Sequence, residues 1–355
     1  MDESALAFLK RLLDAPGPSG FEQAPARIWR EEAGTFARVD VDVAGNSMAT
    51  LNPGGAPRVM LAGHVDEIGL MVVHVDDEGF VHFAPIGGWD SQVLVGQRIV
   101  IEGRAGPVTG VIGKKAIHLM KQEERDKVSK ITDLWIDIGA KSREEALQRV
   151  RVGDAGVIAS RLEEFPNQRL ASRSIDNRIG AFVVLEALRR LSQLPALKAC
   201  VTAVATTQEE IAHTGGGART SAFALEPAAA VVVDVTHATD YPGVEKKEVG
   251  DFRLGGGPAI SRGSSVSRVV FDQLVAAAEA SKIPYAVEAA PRGTSTDADA
   301  IFTARRGIAT GLVSVPCRYM HSPNEMVSVE DLDRVAQLLA AWVGQLSPAT
   351  SFIPS

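Results

Sequence analysis

The spacing of apolar residues at the start of the chain predicts helices followed by strands. Residues 4–15 and 24–33 show the period of amphipathic helices, and the first of these stretches ends at a Pro-Gly-Pro sequence. Strand-like runs follow at RVDVDV and SMATL around a Gly-Asn turn, and again within RVMLAGHVDEIGLMVVHV. The first stretch therefore predicts two helices and the beginning of a sheet.

From about residue 71 to residue 167 the pattern changes to short alternating runs. FVHFAPI, QRIVIEG, PVTGVIG, TDLWIDIG and DAGVIAS follow one another, most of them separated by glycine or proline. This pattern is typical of a small barrel or sandwich, which one predicted helix at about 142–150 interrupts.

After residue 176, amphipathic helices alternate with near-continuous apolar strands such as CVTAVAT, AAAVVVDV and IATGLVSV. Buried strands that alternate with helices predict a sheet covered by helices. The predicted fold class is therefore α/β, with a mixed sheet flanked by helices and a small β-barrel-like domain inserted into it. We expect the α/β domain at 1–70 and 168–355, and the inserted domain at 71–167.

Length, charge and cysteine content narrow the class of protein. The 355 residues exceed what one core usually holds, and the net charge of −7 without a Lys/Arg cluster predicts no nucleic-acid binding. No apolar run reaches the roughly 18 residues of a membrane helix. Two cysteines are too few for a disulfide framework, and the chain starts acidic rather than basic, so we expect a cytoplasmic protein.

Polar residues with metal-binding chemistry adjoin the predicted strands and helices, and the carboxyl ends of strands are where sites form in α/β sheets. They are His64, Asp66, Asp176, Glu209, Glu210, Asp234 and His321. Each alone could be a helix cap or a loop residue, but together they indicate one site.

The residue types in this group suit a pair of divalent metal ions. Histidine and carboxylate ligands bind zinc, cobalt or manganese, and two ions need about five ligands with one carboxylate between them. Five residues supply that number: His64, Asp176, Glu210, Asp234 and His321. Glu209 remains free beside a ligand, as a general base requires.

The motifs along nearly the whole chain resemble, in order, those of the M42 family of metallo-aminopeptidases, which includes the tetrahedral TET aminopeptidases. They are PGPSGFE (16–22), AGHVDEIGLMV (62–72), PIGGWD (85–90), GVIGKKAIHL (110–119), SIDNRIG (174–180), TTQEE (206–210), VVDVTHATD (232–240), GTSTDADA (293–300) and RYMHSPNEMV (318–327). The resemblance implies the dinuclear-metal aminopeptidase fold and release of the N-terminal residue from short peptides. It also implies two divalent ions per subunit, zinc with cobalt or manganese as alternatives, and dimers formed by the inserted domain that assemble into dodecamers.

The resemblance also assigns roles to single residues. One ion would bind His64, Asp176 and Asp234, and the other would bind Asp176, Glu210 and His321, with Asp176 as the bridge. Glu209 would be the general base and acid, and Asp66 would orient His64 through its other ring nitrogen. The expected substrate contacts are Thr296, Asp297 and His237, although Thr296 also fits a helix cap and His237 a structural role.

Two departures from the family pattern concern the site. Asn177 stands where the family commonly has a second acidic residue, and IAHTGGGA (211–218) replaces the family's V-G-L-R-G. We expect metal binding to survive the first change, whereas the second replaces a basic residue and lengthens the glycine run beside Glu209 and Glu210. No role is assigned to His213 in that loop.

Three alternative functions use the same residues differently. A related deacylase or carboxypeptidase would share the metals and differ only in substrate, whereas a glycosidase would rely on two carboxylates and resist chelators. A non-catalytic assembly protein would not need a complete ligand set beside an intact Glu209.

Overall fold

The computed structural model describes residues 1–211 and 215–354. Its strands are β1 (Arg38–Val41), β2 (Ser47–Leu51), β3 (Arg58–His64), β4 (Gly69–Val75), β5 (Val81–Ile86), β6 (Arg98–Gly103), β7 (Gly106–Gly113), β8 (Trp135–Asp137), β9 (Ala155–Ile158), β10 (Glu163–Phe165), β11 (Arg169–Ser172), β12 (Cys200–Thr206), β13 (Ala229–His237), β14 (Ala259–Gly263), β15 (Ala286–Ala290), β16 (Ala309–Cys317) and β17 (Glu325–Ser328).

The α-helices in the same described residues are α1 (Glu3–Asp14), α2 (Gln23–Ala33), α3 (Ser91–Leu94), α4 (Gln122–Arg125), α5 (Arg143–Arg149), α6 (Ile175–Ser192), α7 (Gly216–Leu225), α8 (Lys246–Val249), α9 (Arg268–Ala280), α10 (Asp297–Phe302) and α11 (Val329–Gly344). None of them is long and apolar enough to cross a membrane.

A large mixed sheet forms the centre of the α/β part. Its eight strands follow the order β1-β2-β12-β3-β13-β16-β14-β15. The four central strands β12, β3, β13 and β16 are parallel, whereas β2 and β14 run antiparallel to their central neighbours. This arrangement confirms the predicted mixed α/β sheet, and it brings the carboxyl ends of four strands to one edge.

Helices cover both faces of the central strands, which explains why these strands are apolar almost throughout. Leu61 of β3 belongs to a core that includes α1, α6, α9 and α11, whereas the adjacent Met60 packs with α7 and α10 on the opposite face. Trp29 and Trp342 are among the largest side chains in the first core, and both are buried.

A closed six-stranded barrel with its own apolar core forms the inserted part. Its strands follow the order β4-β5-β8-β7-β6-β9, and Leu70, Phe83, Ile99 and Ile136 are among its buried residues. The barrel confirms the predicted β-rich insertion and extends from Gly69 to Ile158. The domain boundaries at 71 and 167 stay predictions.

A second, three-stranded sheet was not expected from the sequence. Strand β11 pairs with β10 on one side and with β17 on the other, so the segment after the barrel is joined to the segment after β16. Strand β14 was also not predicted, since AISRG is short and half polar. The three-stranded sheet matters for the site because α6 begins just after β11.

Candidate metal centre and adjoining cavity

The ends of neighbouring strands bring the predicted ligands into one cavity of about 1140 Å³. His64 is the last residue of β3, Asp234 lies near the end of β13, and Glu210 follows β12. Asp176 lies in the first turn of α6, and His321 follows β16. These five side chains and Glu209 all line the cavity, as expected when the ends of parallel strands share an edge.

Asp176 lies between the two histidines. Its Oδ1 is 3.2 Å from His64 Nε2, and its Oδ2 is 3.3 Å from His321 Nε2. His321 Nε2 is also 3.4 Å from Glu210 Oε2, whereas His64 Nε2 is 3.9 Å from Asp234 Oδ1. Each oxygen of Asp176 therefore faces a different histidine, which is the geometry of a carboxylate that can bridge two ions.

Two groups of side chains in the described residues have ligand atoms within 4.8 Å of one another. They are His64, Asp176 and Glu210, and His64, Glu209 and Asp234. Both groups differ from the two ligand sets that the family pattern implies, and the second includes Glu209, whose Oε2 is 3.7 Å from His64 Nε2. The residues are thus close enough to hold metal, and the division into two sets stays a prediction.

The buried, closely spaced carboxyl groups of the cavity fit a cation. The Oε1 atom of Glu210 is buried and has no hydrogen-bond partner among the described residues. Burial, with repulsion from neighbouring carboxylates, raises the pKa of Glu209 to about 9 and that of Asp234 to about 8. A buried carboxylate oxygen without a partner is costly, and a divalent ion would satisfy it.

The pKa values of Asp176 and His64 are shifted toward the charged form of each side chain, unlike those of Glu209 and Asp234. Burial opposes the charge on Asp176, yet the hydrogen bonds with His321 and His64 lower its pKa below the usual range. Burial likewise opposes the charged form of His64, but hydrogen bonds with Asp176 and Asp66 raise its pKa. Asp176 is therefore the carboxylate that is most strongly held in its ionised form.

Asp66 is fully buried and contacts His64 and the backbones of Glu209 and Glu210. Its Oδ1 lies 3.4 Å from His64 Nδ1, the ring nitrogen that points away from Asp176. Its two oxygens also accept hydrogen bonds from the backbone N–H groups of Glu209 and Glu210, each at 3.2 Å. The first contact is the one the family pattern implies, and the second was not expected from the sequence.

Glu325 is a supporting residue that the sequence analysis did not identify. It is buried at the start of β17, where its Oε2 accepts from the backbone N–H of Asp176 and its Oε1 from that of His321, both at 2.9 Å. One carboxylate thus holds the backbones of two candidate ligands. Its position four residues after His321, within RYMHSPNEMV, was the available sequence signal.

Arg178 and Glu67 form a buried ion pair that the sequence analysis did not identify. Arg178 is fully buried, and its Nη2 lies 2.7 Å from Glu67 Oε1. The guanidinium also donates to the backbone carbonyls of Leu12, Gly17 and Val65. Burial lowers the Arg178 pKa to about 10, although Glu67 opposes this shift. The pair connects the N-terminal segment to the loop that carries Asp66.

Asn177, one of the two departures from the family pattern, is fully buried with both ends of its amide bonded. Its Nδ2 donates to the carbonyl of Val233 at 2.7 Å, and its Oδ1 accepts from the N–H of Gly180 at 3.0 Å. An ionised carboxylate could not make the first of these bonds. The other departure includes residues 212–214 with His213, which lie outside the described residues.

The three expected substrate contacts occupy different positions. His237 and Thr296 line the cavity, and Thr296 also caps α10 by accepting from the N–H of Ala298 at 3.1 Å. Asp297 is buried and is not among the lining residues; its Oδ2 accepts a hydrogen bond from the hydroxyl of Thr206. Direct substrate contact is therefore geometrically available to His237 and Thr296.

Comparison with known proteins agrees with this architecture. The family model of M42 glutamyl aminopeptidases matches residues 45–338. A lysyl aminopeptidase of Pyrococcus furiosus is 35% identical over 96% of this chain and 97% of its own length. The crystal structure of a TET aminopeptidase from a marine sediment archaeon of the Thaumarchaeota superposes with a TM-score of 0.92, at 34% identity and 97% coverage of both chains.

A second solved structure, the Pyrococcus horikoshii TET1 peptidase, has a TM-score of 0.84 and 31% identity over 96% of this chain and all of that one. These matches confirm the family that the motifs indicated, a family of divalent-metal peptidases. The chain belongs to the M42 glutamyl aminopeptidase family and is a hydrolase of peptide bonds.

Proposed function

We propose that the protein is a dinuclear metal-dependent aminopeptidase that releases the N-terminal residue of short peptides. The observation that carries this proposal is the position of Asp176, whose two oxygens face His64 and His321 separately. The buried Oε1 of Glu210, which has no hydrogen-bond partner within residues 1–211 and 215–354, supports it.

Five residues would hold the two ions, which we propose to be zinc, with cobalt or manganese as alternatives. His64, Asp176 and Asp234 would bind one, and Asp176, Glu210 and His321 would bind the other. When bound, such ions supply Lewis acidity that acidifies water and polarises the scissile carbonyl.

Glu209 is the proposed general base and acid. It lines the cavity beside the candidate ligands, and Asp66 fixes its backbone. Glu209 takes a proton from the attacking water and returns it to the amine of the leaving peptide. Asp66 is a positioning residue in this scheme, because its contacts reach the chemistry only through His64 and through the backbone of Glu209 and Glu210.

The test of this role is Glu209→Gln, with Glu102→Gln as a control. Glu102 is exposed on barrel strand β6, so its replacement makes the same change of charge away from the site. We expect the Glu209 variant to keep two ions per subunit and to lose roughly 10²- to 10⁴-fold in kcat. Full turnover would refute the base role. Loss of an ion would instead make Glu209 a ligand, as its proximity to His64 and Asp234 permits.

We further propose that the chain forms dimers through the barrel and that these assemble into a dodecamer. The P. horikoshii relative is described as assembling into a tetrahedron or a large octahedral shell. Val73, Val111 and Val128 of the inserted segment are exposed, as residues at a protein interface often are in the isolated subunit. Light scattering would give the mass of the assembly.

A cytoplasmic location stays a proposal, supported by two free, buried cysteines.

The names of the relatives do not agree on the preferred N-terminal residue. The P. furiosus relative is called lysyl and the family glutamyl aminopeptidase. The side chains that line the cavity are therefore the basis for a proposal about the preferred N-terminal residue.

A further inference from the structure

The cavity also contains carboxylates that have no part in the proposed chemistry, and Glu288 is one of them. Glu288 lies on β15, the edge strand of the large sheet, and lines the same cavity as the candidate ligands. Its Oε1 accepts a hydrogen bond from Thr236 Oγ1. Its Oε2 accepts from Ser261 Oγ at 3.0 Å and lies 3.3 Å from Ser314 Oγ. The side chain is thus held by hydroxyl groups from three other strands.

The hydroxyl groups position this carboxylate without neutralising it. All of its hydrogen-bond partners within residues 1–211 and 215–354 are neutral hydroxyls. A hydroxyl contributes a donor but no positive charge. The wall of the cavity that β15 contributes therefore presents a carboxylate without a cationic partner among these residues to whatever enters.

The hydroxyl groups of β13 and β16 that hold Glu288 belong to residues that adjoin Asp234, a candidate metal ligand. Thr236 is two residues beyond Asp234 on β13, and Ser314 is the register partner of Asp234 on β16. Residues two apart on a strand share a face and are roughly 6.6 Å apart. An extended lysine side chain spans about 6 Å over its five bonds. The two lengths are similar, so we take Glu288 as the group that such a side chain meets when its carbonyl lies beside the candidate ligands.

We propose that Glu288 selects peptides whose N-terminal side chain is cationic, lysine or arginine. The inference rests on the proposed aminopeptidase function, because it takes the scissile carbonyl to lie beside the candidate ligands. An ammonium or guanidinium group donates to a carboxylate through charge-assisted hydrogen bonds, which are stronger than neutral ones. Glu288 would be a specificity residue and would take no part in bond cleavage.

Two arginines also line the cavity and favour the opposite charge. Arg219 and Arg292 are both exposed, whereas Glu288 is partly buried among the strands. Water screens exposed charges more than buried ones, so the deeper carboxylate acts more strongly on a side chain inside the cavity. If these arginines determined the preference, the enzyme would favour peptides with an N-terminal glutamate.

The test compares aminoacyl-p-nitroanilides of lysine, arginine, norleucine and glutamate, with metal-loaded enzyme. Norleucine has the four-carbon chain of lysine without its ammonium group. We expect wild-type kcat/KM to favour lysine and arginine over norleucine by roughly 10- to 100-fold. The variant E288Q should lose that preference and keep its activity on norleucine. The control variant E78Q, which alters an exposed glutamate in a barrel turn, should behave as the wild type.

Each other outcome overturns the inference in a distinguishable way. An equal loss of activity on all four substrates in E288Q would mean that Glu288 contacts the α-ammonium group or supports the fold. A wild-type preference for glutamate, or no preference by charge, would overturn the selectivity while leaving the aminopeptidase proposal intact. If metal-loaded wild type cleaves none of the substrates, the proposed function itself fails, and the inference with it.

Discussion

Replacing Glu325 with glutamine tests whether one buried carboxylate holds two candidate ligands in place. Each Glu325 oxygen accepts one backbone N–H, from Asp176 and from His321, at 2.9 Å. Glutamine keeps one acceptor and puts an NH2 donor where the other oxygen was. One buried backbone donor then faces another donor and is left unpaired.

The size of the effect follows from this geometry. An unpaired buried donor costs about 1–3 kcal/mol, which corresponds to roughly 5- to 150-fold in an equilibrium constant. The residues that support metal ligands typically contribute 10- to 100-fold to metal affinity. We therefore expect E325Q to bind metal about 10- to 100-fold more weakly than the wild type, while the fold is retained.

The assay is a zinc titration against a competing chelator, with circular dichroism to monitor the fold. E330Q is the matched control, because Glu330 lies in the first turn of α11 and its side chain is 49% exposed beside Arg334. The control should bind metal as the wild type does. A folded E325Q protein with wild-type metal affinity would refute the positioning role of Glu325.

The remaining predictions concern the ligands and the packing beneath them. Replacing His64 or His321 with alanine should lower the metal content of the purified protein, and unchanged zinc content would refute the ligand assignment. Arg178→Met removes a buried cation from its carboxylate and carbonyl partners and should cost roughly 3–5 kcal/mol in urea unfolding. Arg189→Met, on the same helix but with its side chain 32% exposed beside Glu32, should cost less than Arg178→Met, and equal losses would contradict this account. Gly63→Ala would place a methyl group against the backbone of α6 and should cost roughly 1–3 kcal/mol in thermal unfolding, so a wild-type melting temperature would show that this contact can relax.

The elements that the sequence predicted correctly are those with strong local patterns. The central strands are covered on both faces, so each is a near-continuous apolar run, and the polar residues after them mark the edge where the site forms. That is how His64, Glu210 and Asp234 could be placed at this edge without a structure. The short strands β14 and β17 lack such a pattern and were missed.

The supporting residues could not be predicted because their partners are distant in sequence. Glu325 and Asp176 are 149 residues apart, and Arg178 and Glu67 are 111 residues apart. Nothing in the local sequence shows that a glutamate will accept from a particular backbone amide. Glu288 illustrates the same limit, because three strands have to assemble before its hydroxyl partners surround it.

We propose that this cavity binds metal ions and that the N-terminal residues of peptides are released there. The most direct measurement is the release of the first residue from short peptides, each tested with a free and with an acetylated N-terminus, using metal-loaded and chelated enzyme. We predict that only free peptides are cleaved, that a chelator abolishes cleavage, and that zinc, cobalt or manganese restores it. Equal cleavage of acetylated peptides, or cleavage that survives removal of the metal, would contradict the account.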